Sequence, residues 1–110
     1  MAKNRALSKN EKNCCYAAEL LKALAHPLRL RIVAILCESP ENVGTLADRL
    51  SVKDAIVSQQ LRVLRLADLV SVSRRDGYAI YRLAEPHLRK IVDCLGSCIE
   101  ERTRVRKQRQ

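Results

Sequence analysis

The sequence predicts a mainly α-helical domain with one small β-hairpin, arranged as a winged helix-turn-helix and filling residues 1–110 as a single unit. Three observations lead there. Between Leu50 and Leu69, Val57, Leu61 and Leu64 recur at helical spacing with Ile56, Val63 and Leu66 beside them, one apolar stripe facing a core. A shorter helical pattern, Val43 to Leu50, precedes that stretch across a short turn. After it the period changes: Val70 and Val72 alternate as in a strand, Asp76-Gly77 follows, and Tyr78, Ile80, Tyr81 and Leu83 resume the strand character. Asp-Gly between two such runs is the strongest short-range signal for a hairpin.

Residues 1–13 are basic and polar and read as a flexible arm. The first helix shows its apolar face at Ala17, Leu20, Leu21 and Leu24. It ends at Ala25-His26-Pro27, because a proline disfavours helix in the residue before it. Pro27 suits the first turn of a second helix, which buries Leu28, Ile32 and Ile35 or Leu36 and carries Arg29 and Arg31 outward. Ser39-Pro40-Glu41-Asn42 connects to the third helix, with Asn42 as its cap. Pro86 opens the last helix, whose apolar seam is Leu88, Ile91, Val92, Leu95 and Ile99. The winged-helix core precedes this seam and leaves it little to cover within one subunit, so Leu88, Ile91, Leu95 and Ile99 are read as dimer contacts. Residues 103–110 read as a frayed basic tail.

Composition narrows the function classes. Hydrophobic residues make up 47% of the 110, with aromatics at 3% and no Trp or Phe, which suits a small aliphatic helical core. The formal net charge is +9 and the isoelectric point about 9.8, the balance of a domain that meets a polyanion. No apolar run approaches the roughly 20 residues of a membrane span, and no apolar signal-peptide core lies near Met1. The expected compartment is the cytoplasm, where the five cysteines should be mostly thiols. No nucleophile–base–acid set and no phosphate loop is present, so no enzyme activity is expected.

The polyanion is expected to be double-stranded DNA. The polar face of the central helix carries Ser58, Gln59, Gln60, Arg62 and Arg65, with Lys53 just before it. A Gln amide can bond bidentately to adenine, and a guanidinium to guanine or phosphate. Arg74, Arg75 and Tyr78 at the hairpin tip are placed for phosphate or minor-groove contact, which positions the reading helix without specifying much sequence. Readers of this type bind half-sites about one helical turn apart, which calls for a two-fold homodimer.

Three segments together resemble the ArsR/SmtB family of winged-helix repressors over nearly the whole chain. They are L-L-K-A-L-A-H-P-L-R-L-R-I-V-A-I-L (20–36), V-S-Q-Q-L-R-V-L-R-L-A-D-L-V (57–70) and R-R-D-G-Y-A-I-Y-R-L (74–83). The resemblance implies five helices and a wing, a dimer built from the first and last helices, and a repressor that leaves operator DNA when a signal binds. Two residues depart from the pattern: Lys53 stands where relatives often have Ser or Thr, and Gln60 where a His is common in the reading helix. Both can still touch DNA, so the departures bear on the operator sequence. The Q-Q-L segment looks most like the branch that senses sulfide or redox state.

The sensing site has to come from the cysteines. The family's arsenite or cadmium site needs a Cys-x-Cys pair in the helix before the reading helix, but V-G-T-L-A-D-R-L holds none. Its zinc type uses Asp, His and Glu ligands on the last helix; His87 and Asp93 are there without a matching partner motif. What remains is Cys14-Cys15 on the first helix and Cys94 and Cys98, one turn apart, on the last. The resemblance lays these helices together in the dimer, where three or four sulfurs would favour As(III), Cd(II), Pb(II), Hg(II) or Zn(II) as inducer. The alternative signal is a disulfide or polysulfide bridge, for example between Cys37 and Cys98. A third reading is a constitutive DNA-binding protein without a sensor.

Overall fold

The computed structural model describes residues 2–109 and contains six helices and one two-stranded antiparallel hairpin. In chain order they are α1 (Ala2–Ser8), α2 (Glu11–Leu24), α3 (Pro27–Glu38), α4 (Val43–Leu50), α5 (Asp54–Leu66), β1 (Val70–Arg75), β2 (Tyr78–Leu83) and α6 (Leu88–Arg109). The winged helix-turn-helix expected from the sequence is there, with one helix more than the five anticipated.

The extra helix is α1, in the stretch read as an arm. Asn10 caps α2 by accepting from the Asn13 N–H, and the Asn13 amide and Cys14 thiol donate back to the carbonyls of Ala6 and Leu7. Those carbonyls belong to the last turn of α1, where helix geometry leaves acceptors unpaired. Two side chains of α2 therefore hold α1 in a helical hairpin. At the other end, 103–109 continues α6 as helix instead of a frayed tail. Residues 1 and 110 of those two segments lie outside the described residues.

Helix α3 is the centre of the fold. His26 caps it, Pro27 occupies its first turn, and Ile32, Val33, Ile35 and Leu36 are all buried. It packs against α2, α4, α5, α6 and β2, which explains why its apolar residues run round more than one face. Leu46, Ala47 and Leu50 of α4, Val57, Leu61 and Leu64 of α5, and Leu69 and Val70 complete the core.

Two turns without glycine place α5. Ser51 is left-handed (φ 56°) after α4, with Val52 N–H donating to Ala47 O and Ser51 N–H to Asp48 O. Asp68 is left-handed (φ 60°) after α5, with Leu69 N–H donating to Leu64 O and Asp68 N–H to Arg65 O. Both patterns are the paired bonds that close a helix on a left-handed residue. The first sets α5 across α4; the second drops Leu69 and Val70 into the core and launches the wing.

Two expectations for the last helix and the central stripe are corrected. Leu88 is fully buried in the protomer core, and Ile91 and Val92 pack half-buried against it, so only Leu95 and Ile99 of the seam stay exposed. The reason is that the last turn before Leu88 folds the start of α6 onto α3. Conversely Ile56, Val63 and Leu66 are exposed, Leu66 at 78%, because α5 meets the core along a narrow stripe.

Candidate nucleic-acid interface

Successive residues of an α-helix are rotated by about 100°. On that wheel the buried Val57, Leu61 and Leu64 span one narrow sector of α5. Ser58, Arg62 and Arg65 lie within about 60° of one another on one flank, with Gln59 about 60° beyond Arg62. All four are exposed. This flank faces the wing: Arg65 borders a shallow depression of about 230 Å³ shared with Val72, Ser73, Arg74, Ala79 and Tyr81.

Gln60 is elsewhere. It sits about 160° round the helix from both Ser58 and Arg62. It is half-buried, and its side-chain oxygen accepts from the Arg29 guanidinium at 2.9 Å. Arg29 in turn is not carried outward as the sequence pattern implied. It is half-buried and folds back onto the end of α2, donating to Ala23 O at 2.6 Å. Sequence periodicity could not find this pair, because its members are 31 residues apart and both residue types are ordinary on a solvated face.

Lys53 occupies the cap position of α5 in extended backbone, and its side chain makes no capping bond. Ser or Thr there would accept from a first-turn N–H; Lys places a cation at the same spot. Asp54 in the first turn offsets part of that charge against the helix dipole.

The wing pairs Val70 with Leu83, Val72 with Tyr81, Arg74 with Ala79 and Arg75 with Tyr78. Its turn, Asp76-Gly77, has positive φ at both residues (51° and 83°), the conformation that matches strand twist in a two-residue hairpin. Side chains alternate between faces along a strand. Arg74 therefore shares the inner face with Val72 and Tyr81, toward Arg65, whereas Arg75 and Tyr78 share the outer face. The two arginines expected to act together point to opposite sides. Tyr81 also exchanges both backbone bonds with Glu41, which ties the wing to the loop before α4. Among the described residues, none of Arg62, Arg65, Arg74 and Arg75 is paired with an acid. Their charge is available to an external anion.

The cysteines separate into different environments. Cys14, Cys15, Cys94 and Cys98 are exposed; Cys37 is half-buried on α3. Burial pushes the Cys37 thiol above its ordinary value; the Arg89 guanidinium opposes that push, and the Asp93 and Glu38 carboxylates add to it. Arg89 also donates to the Cys37 carbonyl oxygen, so α3 and the start of α6 are tied at this point. Cys98 lies five residues past Asp93, about 7.5 Å further along the helix axis. Among the described residues, no three His, Cys, Asp or Glu side chains converge on a point where a metal ion could sit. No helix of the described residues is long and apolar enough to cross a membrane.

Residues 26–72 match the family model described as bacterial regulatory protein, arsR family. The chain is 46% identical over 76 residues to the HTH-type transcriptional repressor SmtB of Mycobacterium tuberculosis, covering 69% of this chain and 56% of that one. It thus spans a little over half the length of that repressor. It is 39% identical over 85 residues to the biofilm growth-associated repressor of Agrobacterium fabrum, covering 77% and 73%. Its fold superimposes on reduced HlyU from Vibrio cholerae with a TM-score of 0.75 at 32% identity, covering 80% of this chain and 93% of that one. HlyU is a transcriptional activator; all three relatives regulate transcription and none is an enzyme.

Proposed function

The chain belongs to the bacterial ArsR family of regulatory proteins, and from that membership we propose that it acts in the cytoplasm as a homodimeric repressor of transcription. It reads double-stranded operator DNA with Ser58, Gln59, Arg62 and Arg65 of α5. Arg74 and the Arg75–Tyr78 face of the wing, together with Lys53, hold the phosphates. The observation that carries this reading is the flank of α5 itself: a hydroxyl and two guanidiniums in one 60° sector, facing a wing arginine, with neither guanidinium ion-paired among the described residues. The test is binding to DNA selected from a random pool, followed across salt concentrations. Arg62→Ala should lower affinity for the selected site about tenfold or more and barely change affinity for random duplex. Equal losses on both would make Arg62 a backbone contact, and salt-insensitive binding would remove the DNA reading.

The signal is proposed to be read by thiols on the two helices that meet in the dimer. One protomer offers a soft ion no more than the Cys94–Cys98 pair, and the Cys14 thiol is engaged with Leu7 O. Among the described residues, a single chain therefore brings together no cluster of three or more such ligands. Only the α2 and α6 cysteines of two copies could supply three or four sulfurs for As(III), Cd(II), Pb(II) or Zn(II). The likeness to reduced HlyU favours a second reading, a sulfur bridge reached by oxidation or polysulfide. Release of DNA from reduced protein by each metal and by polysulfide separates them. Loss of the metal response in Cys94→Ser and Cys98→Ser, with Cys37→Ser still responsive, supports the metal. Loss of the polysulfide response in Cys37→Ser supports the bridge. A protein that no agent releases is a constitutive binder.

A further inference from the structure

Between α2 and the C-terminal half of α5 runs an open groove of about 680 Å³, bordered by Tyr16, Leu20, Ala23, Val63 and Leu66. The two helices share the core through Ala23, Leu24, Leu61 and Leu64, but along the groove no side chains interdigitate between them, and packing fixes geometry only where atoms touch. A side chain that spans the two helices beside the groove adds a direct link to what the shared core provides.

Arg29 is the residue placed to do so. It stands in the first turn of α3, between the other two helices, and its planar fork engages both. Nε donates to Ala23 O at 2.6 Å and one terminal nitrogen to Lys22 O at 3.4 Å, both in the last turn of α2. The other terminal nitrogen donates to the side-chain oxygen of Gln60, in the middle of α5, at 2.9 Å. Ala23 O is one that helix geometry leaves short of a donor, Lys22 O also accepts from the Ala25 N–H, and both carry the negative end of the helix dipole. A guanidinium satisfies them with charge as well as geometry, and its rigid fork transmits direction in a way an ammonium cannot. Gln60 is the one polar residue on α5 turned away from the flank with Ser58, Arg62 and Arg65; a groove of DNA cannot take both sides of the same helix.

We propose that Arg29 and Gln60 form a positioning pair that sets the reading helix at a fixed angle to α2, and that Gln60 serves DNA recognition through Arg29 without touching a base. The inference rests on the DNA-reading role assigned to α5. Because α2 is also the helix offered to a second copy, the pair links the dimer surface to the reading head by three hydrogen bonds.

The experiment compares Arg29→Gln, Gln60→Ala, their combination and Gln60→Glu, measuring affinity for the selected site and for random duplex. A carboxylate at position 60 still accepts from the guanidinium, yet it would be repelled if it faced DNA. The pair predicts that Arg29→Gln, Gln60→Ala and the double variant each reduce the ratio of selected to random affinity by the same factor, roughly tenfold, the scale of one hydrogen bond to a charged group. It predicts that Gln60→Glu keeps the ratio within a few-fold of the parent. Thermal melts identify any variant that has simply lost its fold, and Gln60→Glu decides the matter even if Arg29→Gln is one of them. Additive losses, or Gln60→Glu as damaging as Gln60→Ala, overturn the positioning role. Arg62→Ala, from the other side of α5, is the separate control: if it leaves binding unaltered, the DNA-reading role of α5 fails, whatever the pair does.

Discussion

Single residues decide where this domain trades stability against contact with an anion. Lys53 is the clearest. It sits at the cap of α5 with no capping bond, and its positive charge meets the positive end of the helix dipole. Lys53→Ser should therefore stabilise the fold by about 1 kcal/mol, a rise of several degrees in Tm. The same change should weaken DNA binding on all sequences and flatten the salt dependence by about one charge. A melting temperature that stays level or falls would show that Lys53 holds the helix start in some other way. Cys37 makes the opposite case. Its thiol is held protonated by burial, so its thiolate appears only at higher pH than for an ordinary cysteine. Alkylation at pH 8 should modify it more slowly than Cys94 and Cys98, and equal rates would mean that the α3–α6 contact opens readily.

At the scale of an element, the wing is a two-sided object. A period of two puts Arg74 toward α5 and Arg75 away from it, although the residues are adjacent. Arg74→Ala should reduce both affinity and the salt slope, by up to about one charge, because Arg74 stands across the depression from Arg65. Arg75→Ala should produce the same loss only if the outer face of the wing, with Tyr78, also reaches phosphate. A slope unchanged in both variants would show that the hairpin points away from DNA. Helix α6 divides in the same fashion along its length. Its first turn is core, its middle carries Leu95 and Ile99 in the open, and its end is basic.

The whole molecule is more spread out than its length requires. A compact chain of 110 residues has a radius of gyration of about 13 Å; this one has 16.2 Å and extents of 46 × 43 × 19 Å. Helix α6 leaves much of its apolar seam open, with Leu88 buried but Leu95 45% and Ile99 61% exposed. Tyr16 and Leu21 of α2 are also open. A second copy covering α2 and α6 would bury these side chains, which is the physical case for the dimer. Leu95→Asp should then shift the protein to monomer in sedimentation at micromolar concentration while leaving its helical content intact. Leu88→Ala should act on the fold itself, lowering stability by about 2–5 kcal/mol. A wild-type monomer at the same concentration would sink the two-fold arrangement.

Much of this was legible in the chain alone. Helical spacing around Leu61, the proline at 27 and the Asp76-Gly77 turn determined α3, α5 and the wing, because periodicity, missing donors and positive φ are local properties. The basic flank of α5 followed from the same pattern. Helix α1 was not legible, since its caps come from Asn13 and Cys14 on the next helix. Leu88 could not be told from Leu95 by spacing, for both lie on one stripe and only the fold of the last turn says which part of it meets α3. Arg29 read as an outward cation and Gln60 as a DNA-facing amide until the folded chain brought an α2 terminus, an α3 guanidinium and an α5 amide within hydrogen-bonding distance. Pattern reveals which face of an element is apolar; only the packed structure decides what that face, and the polar residues at its edge, come to touch.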